Sequence, residues 1–374
     1  LIDAQTVFEN GKSEPQNVVS DEMFTFAKDF IYLMTAEATL IQLKAIFEGN
    51  HRFALIVHTN PDGDAIGSAI ALKLALKKLG HKIDLLIPNM YPSFLSWMPE
   101  INEGVIFEQQ AKHAKAILSE ADYVICLDFN SPKRSGALQE DILKATAPRI
   151  LIDHHIDPEL EVFDLAYTEL DVSSTAELVY KLLKELNYLH LLDVDIASCL
   201  YVGIMTDTGS FSFAIKNPDT FSIVAHLVRL GINAERIHKM VYDTYSENRL
   251  RLLGHSISNR MIVLEEQKTA IISLSLKDLE QFDYQIGDTE GLVNYPLSME
   301  KVNLSILITE RKDQVRLSFR SKGGFSVNDF SRNHFEGGGH FNAAGGNSQL
   351  SLKETLAKLI NIIPEYNEQL NYIY

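Results

Sequence analysis

Apolar and polar positions fall into blocks along the chain. FALIV at 53–57 is a short continuous apolar run; the polar HTNPDGD follows it, and then AIGSAIALKLALKKLG, whose apolar positions recur at helical spacing. This predicts a strand, a loop and a helix. Further strands are expected at KIDLLIP (82–88), YVICLDF (123–129) and RILIDHH (149–155), with helices around 173–187 and 193–206. Strands this uniformly apolar are buried on both faces, which predicts a mostly parallel sheet sandwiched between helices. From Pro218 to Arg260 the periodicity is helical throughout, in FSIVAHLVRL, NAERIHKMVYDTY and ENRLRLLGHSIS, with a turn signal at Gly231. The text then changes to period-2 alternation in AIISLSL, NLSILITE and QVRLSFRS, followed by the glycine-rich FEGGGHFNAAGG and a closing helix at 351–362.

The expectation is therefore an α/β protein of two domains. A mostly parallel-sheet N-terminal domain occupies 34–230, a helical connector 231–260, and a smaller α/β C-terminal domain 261–374, facing the first across a cleft. The length of 374 residues agrees, at roughly 150 residues per domain. Residues 1–33 carry six acids against two lysines and stop just before Met34. They are either an acidic appendage or a stretch upstream of the native start, and they have neither the basic region nor the cleavage site of a signal peptide.

Composition narrows the function classes. With 46% hydrophobic and 22% charged residues, disordered and disulfide-scaffold classes are excluded. A formal net charge of -16 argues against a long electropositive groove tracking many phosphates. Cys126 and Cys199 both lie in apolar stretches and read as reduced, buried side chains of a cytoplasmic protein. The apolar run Ile196–Thr206 is eleven residues long, short of the roughly 20 that span a bilayer, so no membrane partner is expected.

The chemistry lies in where acids and histidines fall. Four clusters sit just beyond an apolar strand or at the end of an apolar helix: His58 with Asp62 and Asp64, Asp128, Asp153-His154-His155, and Asp207. Each alone reads as a helix cap or turn former. In one parallel sheet, however, the carboxyl ends of the strands open onto a common crevice. Five carboxylates gathered there without cations would repel one another or be driven to hold protons. Carboxylate and imidazole donors suit two divalent cations, Mn²⁺ first, with Mg²⁺, Co²⁺ or Fe²⁺ as alternatives, and Asp128 is the economical bridge between them. In the glycine-rich run, Gly338 and Gly339 allow close backbone approach to an anion and His340 adds a donor, while Arg320 and Ser321 at the end of QVRLSFRS supply a phosphate clamp.

HTNPDGDAIGS, CLDFN, LIDHH and GIMTDTGSF resemble the four motifs of the DHH phosphoesterase superfamily, and RSKGGFSV with GGGHFNAAGG resembles its associated C-terminal substrate-binding domain. The resemblance runs from about Ala36 to Leu359 and is closest to the bifunctional oligoribonuclease and pAp phosphatase group, the nanoRNases. Pyrophosphatase relatives use a different C-terminal domain without GGGH. The resemblance implies one metal on His58, Asp62 and Asp128 and a second on Asp64, Asp128, His154 and Asp207. His155 would face the substrate phosphate, and Asp153 would orient its neighbours. The expected function is metal-dependent hydrolysis of short oligoribonucleotides and 3'-phosphoadenosine 5'-phosphate, by a monomer or homodimer. The alternatives are a cyclic or linear dinucleotide phosphodiesterase and a catalytically silent, metal-stabilised binding module.

Overall fold

The computed structural model describes residues 37–212, 215 and 217–372. The acidic stretch 1–33 and Met34 lie outside the described residues.

Six parallel strands form the first sheet: β1 (Arg52–Ile56), β2 (Lys82–Ile87), β3 (Val105–Ile106), β4 (Tyr123–Leu127), β5 (Arg149–Asp153) and β6 (Leu165–Thr168), in the order β3-β2-β1-β4-β5-β6. The strand order reverses between β1 and β4, the point at which open sheets of this kind leave a crevice. Alternate side chains feed two cores. Phe53, Leu55, Ile125, Leu127, Ile150 and Ile152 point to one side, and Ala54, Ile56, Val124, Cys126 and Leu151 to the other. Both cysteines are free and buried.

Helix α1 (Gly63–Lys78) is buried nearly all round, as a helix hydrophobic on every side must be. α2 (Phe107–Glu120) covers the opposite face of the sheet. α1 packs against α3 (Thr175–Glu185) and α4 (Val194–Asp207). The approach is close enough to require glycine. A Cβ at Gly67 would lie 2.5 Å from the Cys199 carbonyl oxygen, and one at Gly203 would lie 2.4 Å from Ala176 Cβ and 2.7 Å from Asp64 Oδ1.

α5 (Asp219–Arg229) and α6 (Ala234–Tyr242) still belong to the first core, through Ile223, Leu227, Ile237 and Val241. α7 (Glu247–Asn259) sends Leu252 into a separate core with Ile272, Leu274 and Leu307. The chain thus passes from one core to the other at residues 243–246. Beyond it, β7 (Met261–Leu264), β8 (Thr269–Leu274), β9 (Leu304–Glu310), β10 (Val315–Ser321), β11 (Glu336–His340) and β12 (Ala343–Ser348) form a second sheet in the order β11-β12-β10-β9-β8-β7. It is antiparallel apart from the parallel β8–β9 pair. α8 (Val327–His334) and α9 (Leu352–Ile362) pack on it around Phe319, Phe330 and Leu359. The glycine-rich run is a strand pair, β11 and β12, and not a loop. No helix of the described residues is long and apolar enough to cross a membrane.

Candidate metal centre

Three strand ends and one helix end deliver the acids and histidines. His58 and Asp62 follow β1. Asp62 caps α1, its Oδ1 accepting from the Asp64 and Ala65 N–H groups at 3.0 Å each, which sets Asp64 in the first helical turn. Asp128 follows β4 with φ +64, a left-handed conformation costing about 1–2 kcal/mol, and its N–H donates to the Ile152 carbonyl at 3.1 Å. Asp153 ends β5, with His154 and His155 next. Asp207 ends α4.

These side chains converge without satisfying one another. Asp128 Oδ2 is 3.4 Å from His58 Nε2, and its Oδ1 is 3.6 Å from His154 Nε2. His154 Nε2 is also 3.5 Å from Asp207 Oδ2 and 3.8 Å from Asp64 Oδ2, and His58 Nε2 is 4.0 Å from Asp62 Oδ2. Most of these separations are too long for hydrogen bonds, so the donor atoms ring a common space. His58, Asp62 and Asp128 form one group whose donor atoms all lie within 4.8 Å of one another; Asp64, Asp128 and His154 form a second, and Asp128 belongs to both. His154, His155 and His340 form a further such group, as do Asp128, Asp153 and His155.

The electrostatics describe a site short of positive charge. Burial pushes the Asp64 and Asp207 carboxyls well above the usual range, and the charge of Asp128 adds to both shifts. Burial and then Asp128 push Asp153 up to about 8. Its Oδ1 accepts from His155 Nδ1 at 2.7 Å, while its Oδ2 is buried with no hydrogen-bond partner among the described residues. His155 is held well below its usual range by burial and then by the nearby Arg134. Oxygen and imidazole donors around a charge deficit, without thiolate, fit a hard or borderline divalent cation.

Two contributors carry little signal in the sequence. Arg134 Nη1 donates to His155 Nε2 at 2.8 Å, which fixes His155 neutral with its proton on Nδ1, facing Asp153. The N-terminus of α3 holds two of the acids. Thr175 and Ala176 N–H groups donate to Asp64 Oδ2 and Oδ1 at 2.7 and 2.8 Å, and Thr175 Oγ1 donates to Asp128 Oδ1 at 2.9 Å. A basic residue six positions after Asp128, inside a proline-containing turn, is the sole sequence signal for Arg134; α3 has none beyond its Ser174 cap.

From the second sheet, His340 stacks on His155 with ring centroids 4.1 Å apart at 17°, and stands 4.6 Å from the His154 ring. Gly338 and Gly339 precede it in the edge strand β11, where the Gly339 N–H donates to Asn328 Oδ1 at 2.9 Å. Arg320 lies close enough for Asp207, Asp62 and Glu290 to offset the lowering of its guanidinium by burial. Ser321 is not brought to this group. It projects from the opposite face of β10, and its hydroxyl donates to the Phe325 carbonyl at 2.7 Å and accepts from Asn342 Nδ2 at 2.8 Å.

The chain is similar to known proteins. The chain is 30% identical over 339 residues to the cyclic-di-AMP phosphodiesterase GdpP of Bacillus subtilis, covering 87% of this chain but only 49% of that protein. It is 27% identical over 323 residues to the bifunctional oligoribonuclease and PAP phosphatase NrnA of Thermus thermophilus, covering 85% of this chain and 91% of that one. The crystal structure of an exopolyphosphatase-related protein from Bacteroides fragilis superposes with a TM-score of 0.84 at 34% identity, over 90% of this chain and 98% of that one. Residues 52–204 match the DHH family, N-terminal domain, and residues 267–368 the DHHA1 domain. With both segments present in that order, the chain belongs to the DHH family and carries a DHHA1 domain behind its DHH domain.

Proposed function

We propose that this chain is a metal-dependent phosphoesterase that hydrolyses short oligoribonucleotides and 3'-phosphoadenosine 5'-phosphate. The observation that carries the reading is the pair of donor groups sharing Asp128. His58, Asp62 and Asp128 hold one divalent cation, and Asp64, Asp128, His154 and Asp207 a second, with Mn²⁺ the preferred ion. Such cations supply an activated water and offset charge on the phosphoryl oxygens.

The remaining groups position the substrate. Asp153 and Arg134 fix His155 as a neutral imidazole beside the reacting phosphoryl group. Arg134 itself offers its other N–H groups to the phosphoryl oxygens, a second donor where negative charge develops. Arg320, His340 and the Gly338–Gly339 backbone hold the nucleotide from the other side. In this division of labour 34–230 is the catalytic domain and 261–374 the substrate-binding domain, and 231–260 is the connector, its first helix packed on the catalytic core and its second on the other. The buried thiols of Cys126 and Cys199 suit a cytoplasmic setting.

A second reading, hydrolysis of a cyclic dinucleotide, is favoured by the similarity to GdpP. Turnover of pAp, pApA, a five-nucleotide RNA, cyclic di-AMP and bis-p-nitrophenyl phosphate with Mn²⁺ decides between them. The proposal expects pAp and the two linear nucleotides to be hydrolysed in preference. Hydrolysis of cyclic di-AMP alone overturns it in favour of the second reading, and inertness toward all five leaves a binding module.

A further inference from the structure

Strand register fixes which side chains share the face of the second sheet that meets the metal centre. Arg320 pairs with Ala343, and Ala343 with His340, and residues directly opposite one another project from the same face. Arg320 and His340 therefore stand in one row. Two residues along β10 stands Ser318, opposite Gly345, and two further stands Arg316, opposite Asn347. Burial follows the same alternation: Val315, Leu317 and Phe319 enter the core, while Arg316 and Gly345 are exposed. At about 3.3 Å per residue, Arg316 lies roughly 13 Å along the strand from Arg320. The floor between them is low, with a hydroxyl at Ser318 and no side chain at Gly345.

The charges along this face are unbalanced. Among the described residues Arg316 forms no salt bridge. The groups that influence its guanidinium are Arg311, which opposes its charge, and Tyr284 and Glu290, which favour it. Arg311 stacks over the Tyr284 ring at 4.7 Å and donates to its hydroxyl at 2.9 Å, and among the described residues it too forms no salt bridge. Two guanidiniums that form no salt bridge among the described residues, with the Glu290 carboxylate near Arg316, leave hydrogen-bond donors free in a chain of net charge -16, and a phosphate matches the guanidinium fork.

We propose that β10 is a track for the nucleotide backbone. With the scissile linkage at the metal centre against Arg320 and His340, Arg316 and Arg311 take a phosphate about two linkages away, which only a substrate of four or more nucleotides presents. This rests on the oligonucleotide reading above and deepens it, since it assigns the chain-length preference to a particular pair of side chains.

The test compares wild type, Arg316→Gln and Arg316→Lys in Mn²⁺-supported hydrolysis of pAp, a 2-mer and a 5-mer RNA, and in anisotropy titration of labelled 2-mer and 5-mer without metal at several salt concentrations. The expected result for Arg316→Gln is a loss of roughly tenfold in 5-mer affinity and kcat/KM. Its salt slope should be shallower by about 0.7, with pAp and 2-mer within about twofold of wild type, which also certifies the fold. Arg316→Lys should recover most of the loss. Equal losses on pAp and 5-mer, or no loss on either, overturn the track while leaving the enzyme an oligonucleotide hydrolase. A wild type that hydrolyses neither the 2-mer nor the 5-mer overturns the oligonucleotide reading and the track with it.

Discussion

Asp278 and Asp153 are both almost fully buried, yet their carboxyls are held in opposite directions. Burial pushes Asp278 up as well, but hydrogen bonds from Arg260, Ser275 and His255 more than reverse that, so it lies well below the usual range. Its Oδ1 accepts from Arg260 Nε, Arg260 Nη2 and His255 Nε2 at 2.9, 2.8 and 2.9 Å, and its Oδ2 from the Ser275 N–H and hydroxyl at 2.9 and 2.6 Å. That carboxylate is complete within the chain: it ties α7 and the start of β7 to the cap of the short helix Leu276–Gln281. At the candidate metal centre Asp64, Asp153 and Asp207 are pushed up, and one Asp153 oxygen has no hydrogen-bond partner among the described residues. The difference separates a carboxylate that builds structure from carboxylates arranged for a charge the sequence does not itself supply.

The sharpest way to break this contrast is to remove one acid from each region. Asp128→Ala should reduce turnover of bis-p-nitrophenyl phosphate to the uncatalysed background, while the metal-free protein melts no lower than wild type because a repelling charge is gone. Asp153→Asn, which acts only through His155, should cost about 10–100-fold. Retention of wild-type turnover by Asp128→Ala in Mn²⁺-replete buffer would show that no shared ligand is needed. Asp278→Ala should do the reverse, losing about 2 kcal/mol in urea unfolding with kcat per folded molecule unchanged. Full stability together with lost turnover would put Asp278 on the wrong side of the comparison.

A smaller effect sharpens the same point through pH. Asp64, Asp153 and Asp207 keep their protons in the folded state to higher pH than in the unfolded chain, where Asp titrates near 3.9. The native state thus holds more protons than the unfolded chain from about pH 4 up to about 8, where Asp153 ionises, so stability falls as pH rises through that window. His155, held below its usual range, works oppositely, but its contribution is complete by about pH 7. Asp278 gives stability that is lost only in acid, below about pH 4. The Tm of metal-free protein should therefore fall by a few degrees between about pH 7 and about pH 8.5. Mn²⁺ should abolish the fall, because metal competes with those protons. A flat metal-free profile would mean that the acids are already ionised.

Much of the metal centre was legible in the sequence because strand-end position alone delivers a side chain to the crevice: His58, Asp128 and His154 each follow an apolar run. Arg134 was not, since a lysine-arginine pair in a proline turn looks like solvated surface until the turn is folded against His155. The grip of α3 on Asp64 and Asp128 was hidden for another reason: it joins residues more than forty-five positions apart in sequence, and depends on Gly67 and Gly203 letting three helices meet. In the fold, β3 is two residues long and β6 four, too short to show a period. The glycine run lacked the apolar alternation that marks a strand, and its pairing comes from β10 through β12. Ser321 was misleading because it adjoins Arg320 in sequence, and adjacent residues in a strand face opposite ways.

The donor groups are spread from position 58 to position 207, and this governs when the centre can come into being. Synthesis delivers His58 first and Asp207 last, with five of the six strands of the parallel sheet between them, so no N-terminal fragment that stops short of α4 contains the full second set of proposed donors. Parallel pairings close long loops and form slowly. A cation held by the proposed donors would therefore be captured by a domain that has already folded, rather than acting as a nucleus around which it folds. An interaction made after the folding barrier has been crossed slows unfolding without hastening folding. Metal held there would set how long each molecule survives, while the rate at which new molecules mature would be left to the chain.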